Sequence, residues 1–125
     1  MKIFESNSIE IFEYTGEGYE KTMHYEAWRV AFLNYAERFD KIMYLERHLL
    51  TDEVFVLLTG KAKLIIGEDK QEYRMEPNKI YNVKRAVWHA VKVSEDAKLL
   101  IVENHNTATE NNEYIHFDTP LAVEL

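Results

Sequence analysis

What most constrains the fold of this chain is the rhythm of its apolar residues, which reverses direction roughly every ten residues and never settles into a helical period. A short alternating run, Ile9 to Tyr14, ends in a turn at Thr15-Gly16-Glu17-Gly18, and Trp28 to Tyr35 is β-prone. Ala36 to Asp40 makes a polar connection into Lys41 to His48, which alternates again. Leu50-Thr51-Asp52 turns the chain into the dense run Glu53 to Leu58, and Thr59-Gly60 returns it as Lys61 to Ile66. Beyond the turn at Gly67-Glu68-Asp69-Lys70, two short segments, Gln71 to Met75 and Lys79 to Val83, flank the break at Glu76-Pro77-Asn78. Val87 to Val93 alternates, Ser94-Glu95-Asp96 turns, and Lys98 to Glu103 carries the apolar stretch Leu99-Leu100-Ile101-Val102. Asn104 to Asn112 reads as loop and Glu113 to Phe117 as a last strand. Many short strands without a long helix predict an all-β barrel or sandwich. With no linker, repeat or low-complexity tract, residues 1–125 are expected to form a single domain.

Composition narrows the chemistry. There is no cysteine, which excludes disulfides and thiolates and leaves His and carboxylate side chains as the strong metal ligands. A net charge of −7 without a basic stripe argues against a nucleic-acid partner. No apolar run approaches a membrane span, and Met1 to Ser6 does not resemble a signal peptide, so a cytoplasmic protein is expected.

Strand alternation then singles out a site. In Lys41 to His48, the residues Ile42, Tyr44, Glu46 and His48 share one face, while Met43, Leu45 and Arg47 take the other. Glu53, just across the turn, can meet Glu46 and His48 from the neighbouring strand. His89 shares its face with Val87, Val91 and Val93 and is the natural fourth member. A charged pair on an apolar strand face costs several kcal/mol unless it is partnered, which argues for a functional cluster. Two imidazoles and two carboxylates form a mixed nitrogen and oxygen set. It suits one divalent metal (zinc, manganese, iron or nickel) and would serve acid–base catalysis equally. Tyr44 and Phe55 face inward and are expected to shape the pocket wall. Lys84 and Arg85 fall in a turn expected near the barrel mouth, where they would either hold a substrate carboxylate or be solvated at the surface. Arg47 should face away, in a packing or interface role. His24, His105 and His116 have no partner pattern and are expected at the surface.

The spacing of Glu46-Arg47-His48, Glu53 and Gly60 resembles the first motif of the cupin superfamily, with Glu46 in place of the first His. His89 is similar to the His of the second motif, where Asn78, Lys84 and Ala86 stand for its Gly, Pro and Gly. The resemblance implies a cupin-like barrel, the double-stranded β-helix or jelly roll of RmlC-like proteins. Within the superfamily, Leu45-Glu46-Arg47-His48, then Glu53 and Phe55, Asn82, and Arg85-Ala86-Val87-Trp88-His89 resemble the ureidoglycolate lyases. Those enzymes carry Gln where this chain has Glu53, and a second His where it has Ala90.

That resemblance implies a carbon–nitrogen lyase acting on a small carboxylate-bearing substrate in the barrel interior. Glu46 or Glu53 would act as base, His48 or His89 as acid, and Arg85 or Lys84 as the carboxylate clamp. The alternatives are a metal-binding cupin of other chemistry, an isomerase or oxygenase, and a small-ligand-binding cupin without catalysis. A homodimer is expected, with the aromatic N-terminal strands (Phe12, Tyr14, Trp28) crossing to a neighbour.

Overall fold

The computed structural model describes residues 1–125. Twelve strands run in chain order: β1 (Lys2–Glu5), β2 (Glu10–Phe12), β3 (Tyr19–Tyr25), β4 (Trp28–Asn34), β5 (Tyr44–His48), β6 (Glu53–Thr59), β7 (Ala62–Ile66), β8 (Gln71–Arg74), β9 (Tyr81–Val83), β10 (His89–Val93), β11 (Lys98–Asn104) and β12 (Asn112–His116). Two single-turn 3-10 helices, Glu37–Phe39 and Thr109–Asn111, interrupt them. β1 and β2 pair only with each other, and the remaining strands form two five-stranded antiparallel sheets. The first sheet runs β12-β5-β10-β7-β8 and the second β3-β4-β11-β6-β9.

The inner faces of the two sheets make one apolar core. Ala31 and Leu33 come from β4, Phe55 and Leu57 from β6, Leu64 from β7, Val91 and Val93 from β10, and Leu99 and Ile101 from β11. These are the same-face positions of the alternating segments, so the period of two in the sequence became the inside of the barrel. Gly60, at the β6–β7 turn, has φ +77°, and a Cβ there would lie 2.5 Å from Ala97 Cα. The motif glycine is therefore required where two turns close the bottom of the barrel.

Two strands escaped the sequence reading. β1 is a fully exposed hairpin arm. β3 is an edge strand whose Glu20, Lys21 and His24 interrupt any apolar alternation. The outer face of the first sheet also differs from a solvated one. Ile42, Leu45 and Ile65 are buried there beneath Trp88, Ala90, Ile115, Phe117, Leu121 and Val123. The C-terminal segment is held in place by backbone bonds from Phe117 N–H to Met43 O (2.8 Å) and from Leu121 N–H to Ile42 O (3.0 Å). Arg47 lies on this outer side, paired with Glu113 and stacked 4.4 Å over the Trp88 ring.

Leu45 is 1% exposed and Leu99 0%. If the outer cluster is a second core, Leu45→Ala should cost about as much as Leu99→Ala, roughly 2–5 kcal/mol. Urea unfolding of the two variants measures this. A loss under about 1 kcal/mol for Leu45→Ala would mean the C-terminal segment covers the sheet without stabilising it.

Candidate functional site

The strands that build the site each place a polar residue at or near one end. His48 closes β5, Glu53 opens β6, His89 opens β10, Arg29 is second in β4, and Glu103 is next to last in β11. Antiparallel pairing brings these ends together at one mouth of the barrel. His89 lies opposite Glu46 in the ladder between β10 and β5, and Glu103 lies opposite Arg29 between β11 and β4.

Glu53 is the centre of the cluster. Its Oε1 lies 2.9 Å from His48 Nε2 and 2.9 Å from His89 Nε2. The imidazole centroids are 5.1 Å apart, and the Phe55 ring stands edge-on to His89. Each imidazole is fixed from behind. His89 Nδ1 donates to the carbonyl of Val87 at 2.9 Å, and His48 Nδ1 lies 2.7 Å from Asn112 Oδ1. Both Nε2 atoms therefore converge on the cavity, the orientation that outer hydrogen bonds impose on metal-ligating histidines. Ligand atoms of Glu46, His48 and His89 lie within 4.8 Å of one another, and so do those of His48, Glu53 and Glu103.

The sequence reading did not include the residues on the far wall. Arg29 Nη2 donates to Glu103 Oε1 at 2.6 Å and to the Tyr19 hydroxyl at 3.1 Å, and Tyr19 in turn donates to Glu103 Oε1 at 2.6 Å. Arg29 Nη1 reaches the carbonyls of His105 (3.1 Å) and Thr107 (3.2 Å), tying the loop after β11 to the site. A signal for the ion pair was present. Glu103 shares its strand face with Leu99 and Ile101, and Arg29 shares its face with Ala31 and Leu33, so each is a lone charge at an inward position. Asn112, which lies at the end of a loop in the sequence, gave no such sign.

Burial and crowding set the charges. Burial alone would lower the His48 pKa, but the hydrogen bond to Glu53 and its charge raise it to about 9. His89 is raised by the same partner, again against burial. Burial favours a protonated Glu53, but the two imidazole hydrogen bonds bring it down to about 2. Burial pushes Glu46 up, opposed by His89 and reinforced by the Glu53 charge. Glu103 is raised by burial and by its repulsion from Glu53.

The cavity over the cluster has a volume of about 220 Å³. Leu33, Phe55, Val91 and Ile101 form its apolar lining, and Lys21, Arg38, Tyr44 and Thr109 are among its other wall residues. The structure thus gathers Glu46, His48, Glu53, His89, Tyr44 and Phe55 around one space. Lys84 and Arg85, expected near the mouth as a carboxylate clamp, are exposed and outside this cavity. The Arg85 backbone N–H is bound to Asp52 Oδ1 at 2.8 Å, and Ala86 adopts φ +65°. This turn carries the two cations over the outer surface. Lys84 lines a separate apolar groove with Tyr73 and Tyr81. His24 and His105 are exposed as expected and stack on each other, their centroids 5.2 Å apart.

Neither a family model nor a curated protein matches the sequence. Solved structures do match the fold. Pac13 from Streptomyces, described as a nucleoside dehydratase, superposes with a TM-score of 0.63 at 6% identity, over 86% of this chain and 90% of that one. A cupin-2 domain protein from Shewanella frigidimarina gives a TM-score of 0.60 at 16% identity, covering 74% and 85% of the two chains. The chain has the cupin fold. KdgF from Halomonas sp. adds a TM-score of 0.55 at 11% identity, over 69% of this chain and 77% of that one. At these identities the likeness is one of architecture, and the cupin site has to be judged on its own residues.

Those residues fix a pH dependence. In metal-free protein the His48 pKa rises from 6.5 to about 9 on folding. Its stabilisation is full below pH 6.5 and is lost as pH rises through 9. Glu53 falls from 4.5 to about 2, so its contribution is present above pH 4.5 and is lost as pH drops through 2. Urea midpoints of chelator-treated protein should peak between these limits and decline towards pH 9, and His48→Gln should flatten the alkaline decline. A wild-type profile already flat from pH 6.5 to 9 would show that the imidazole gains no charge partner on folding.

Proposed function

We propose that this cupin is a small-molecule enzyme of the lyase class, acting on a carboxylate-bearing substrate over a divalent cation held in the barrel. The observation that carries the reading is the convergence of two Nε2 atoms and a crowd of carboxylates on one buried space. Glu46, Glu53 and Glu103 stand with His48, His89 and Arg29, and a metal would replace the protons that the imidazoles otherwise carry. A divalent ion supplies the matching charge, and Glu46, His48, Glu53 and His89 are the residues that would hold it. Mixed imidazole and carboxylate sets suit manganese, iron, nickel or zinc. When bound, such an ion acts as a Lewis acid on a substrate oxygen.

The chain's own groups do the rest. Lys21 and Arg38, which line the cavity, take over the clamp role for the substrate carboxylate from Lys84 and Arg85. Leu33, Phe55, Val91 and Ile101 keep water from the reacting face. At about 30 Å³ per water, the cavity has room for about seven waters, the size of a small organic acid. Ureidoglycolate, cleaved to glyoxylate and urea, fits that size class and is the first substrate to assay.

A second reading draws on the same hydrogen bonds. Without an ion, His48 and His89 are imidazolium groups sharing Glu53, and the cluster is a metal-free acid–base site. Metal analysis of protein purified without a histidine tag separates the two. The metal reading expects about one equivalent of a first-row ion. His48→Ala should lose the ion, and in chelator it should be less stable than wild type at neutral pH, the difference closing towards pH 9 as the His48–Glu53 pair loses its charge. Metal-free protein that takes up no ion on titration would leave the acid–base reading.

We also propose a homodimer. A two-stranded hairpin is marginal on its own, yet β1, β2 and the turn between them expose Ile3, Phe4, Ile9 and Ile11. Light scattering at micromolar concentration should give twice the chain mass, and Phe4→Glu with Ile11→Glu should halve it. A wild-type monomer sinks this reading.

A further inference from the structure

The Arg29–Glu103 pair leaves two buried polar atoms without a partner, Arg29 Nε and Glu103 Oε2, and only the second is an acceptor able to hold a cation. Glu103 has a side chain only 3% exposed, and its Oε2 has no hydrogen-bond partner. Its other oxygen is heavily committed, accepting from Arg29 Nη2 and from the Tyr19 hydroxyl, both at 2.6 Å. These two donors hold Oε1, and Oε2 lies 3.9 Å from His48 Nε2. A buried acceptor without a partner costs about 1–3 kcal/mol, and a carboxylate costs more. The fold therefore holds a carboxylate oxygen without a partner beside the His48 imidazole and the Glu53 carboxylate.

We infer that Glu103 is a further ligand of the divalent ion, supplying Oε2 from the second sheet. This rests on the metal reading above and adds a carboxylate oxygen to its donor set, beside His48 and Glu53. Ligand atoms of His48, Glu53 and Glu103 already lie within 4.8 Å of one another, so little movement is needed for them to share an ion. Tyr19 and Arg29 act as positioning residues. By occupying Oε1 they make Glu103 a one-oxygen ligand, and Arg29 carries that constraint to the loop at His105 and Thr107.

Glu103→Gln is the direct test, since the amide oxygen still accepts from Tyr19 and Arg29 and only Oε2 is replaced. Wild type, Glu103→Gln and His48→Ala would each be titrated with Co²⁺ against a chelating dye, with the visible d–d spectrum recorded. Glu103→Gln should bind Co²⁺ more weakly by roughly 10–100-fold, with altered d–d bands. Its melting temperature in chelator reads separately the loss of the buried Arg29 pair, whose guanidinium keeps only neutral acceptors. Glu103→Asp provides a second probe should the Gln variant fail to fold. It keeps the charge beside Arg29 but withdraws the oxygen by one methylene, and it should also shift affinity and spectrum. Wild-type affinity and an unchanged spectrum in both variants would overturn the inference while the metal reading stands, leaving Glu103 as the structural partner of Arg29. Wild-type protein that binds Co²⁺ no better than His48→Ala overturns both.

Discussion

A single carboxylate oxygen, Glu53 Oε1, accepts from two imidazoles that come from the opposite sheet, and the working end of the barrel is organised around that contact. Burying a carboxylate is expensive unless it is paired and hydrogen-bonded. Glu53 reaches this condition only if β6 of one sheet faces β5 and β10 of the other at the right height. The requirement passes outward. His48 must be turned by Asn112 and His89 by the Val87 carbonyl, which fixes β12 and the approach to β10. The loop after β11 is fixed in the same way, through Arg29.

The barrel divides its labour along its length. At one end Leu57, Ala62, Leu64, Val93, Ala97 and Leu99 form a dry core closed by the Gly60 turn. At the other, Glu46, Glu53 and Glu103 gather with His48, His89 and Arg29. Apolar burial at the first end offsets the penalty at the second, the usual relation between a stable scaffold and a costly site. The arrangement follows from antiparallel topology. One inward position at the end of each strand is enough to populate the mouth, and the rest of each strand stays apolar.

Much of this was legible strand by strand. The alternation of Tyr44, Glu46 and His48, the spacing to Glu53 and Gly60, and the lone His89 among valines identified the cluster and the cupin-like barrel. Lys84 and Arg85 are not among the residues lining the cavity, on a turn bound by Asp52 and shaped by Ala86 at positive φ. Tyr19, Arg29 and Asn112 were missed because their partners are 84, 74 and 64 residues away in sequence. The Arg29–Glu103 pair exists only through the register between β4 and β11.

The sequence by itself determined which residues face inward, where the chain turns, and which side chains can act as ligands. Those properties depend on side-chain period, turn chemistry and donor type, all local. Only the tertiary structure decided that a C-terminal segment covers Leu45 and Ile65, that Glu53 is shared by two imidazoles, and that Glu103 holds an unpartnered oxygen beside His48. Each of these is a relation between strands distant in sequence. Register and sheet order set such relations through the packing of the whole barrel, and no single segment encodes them.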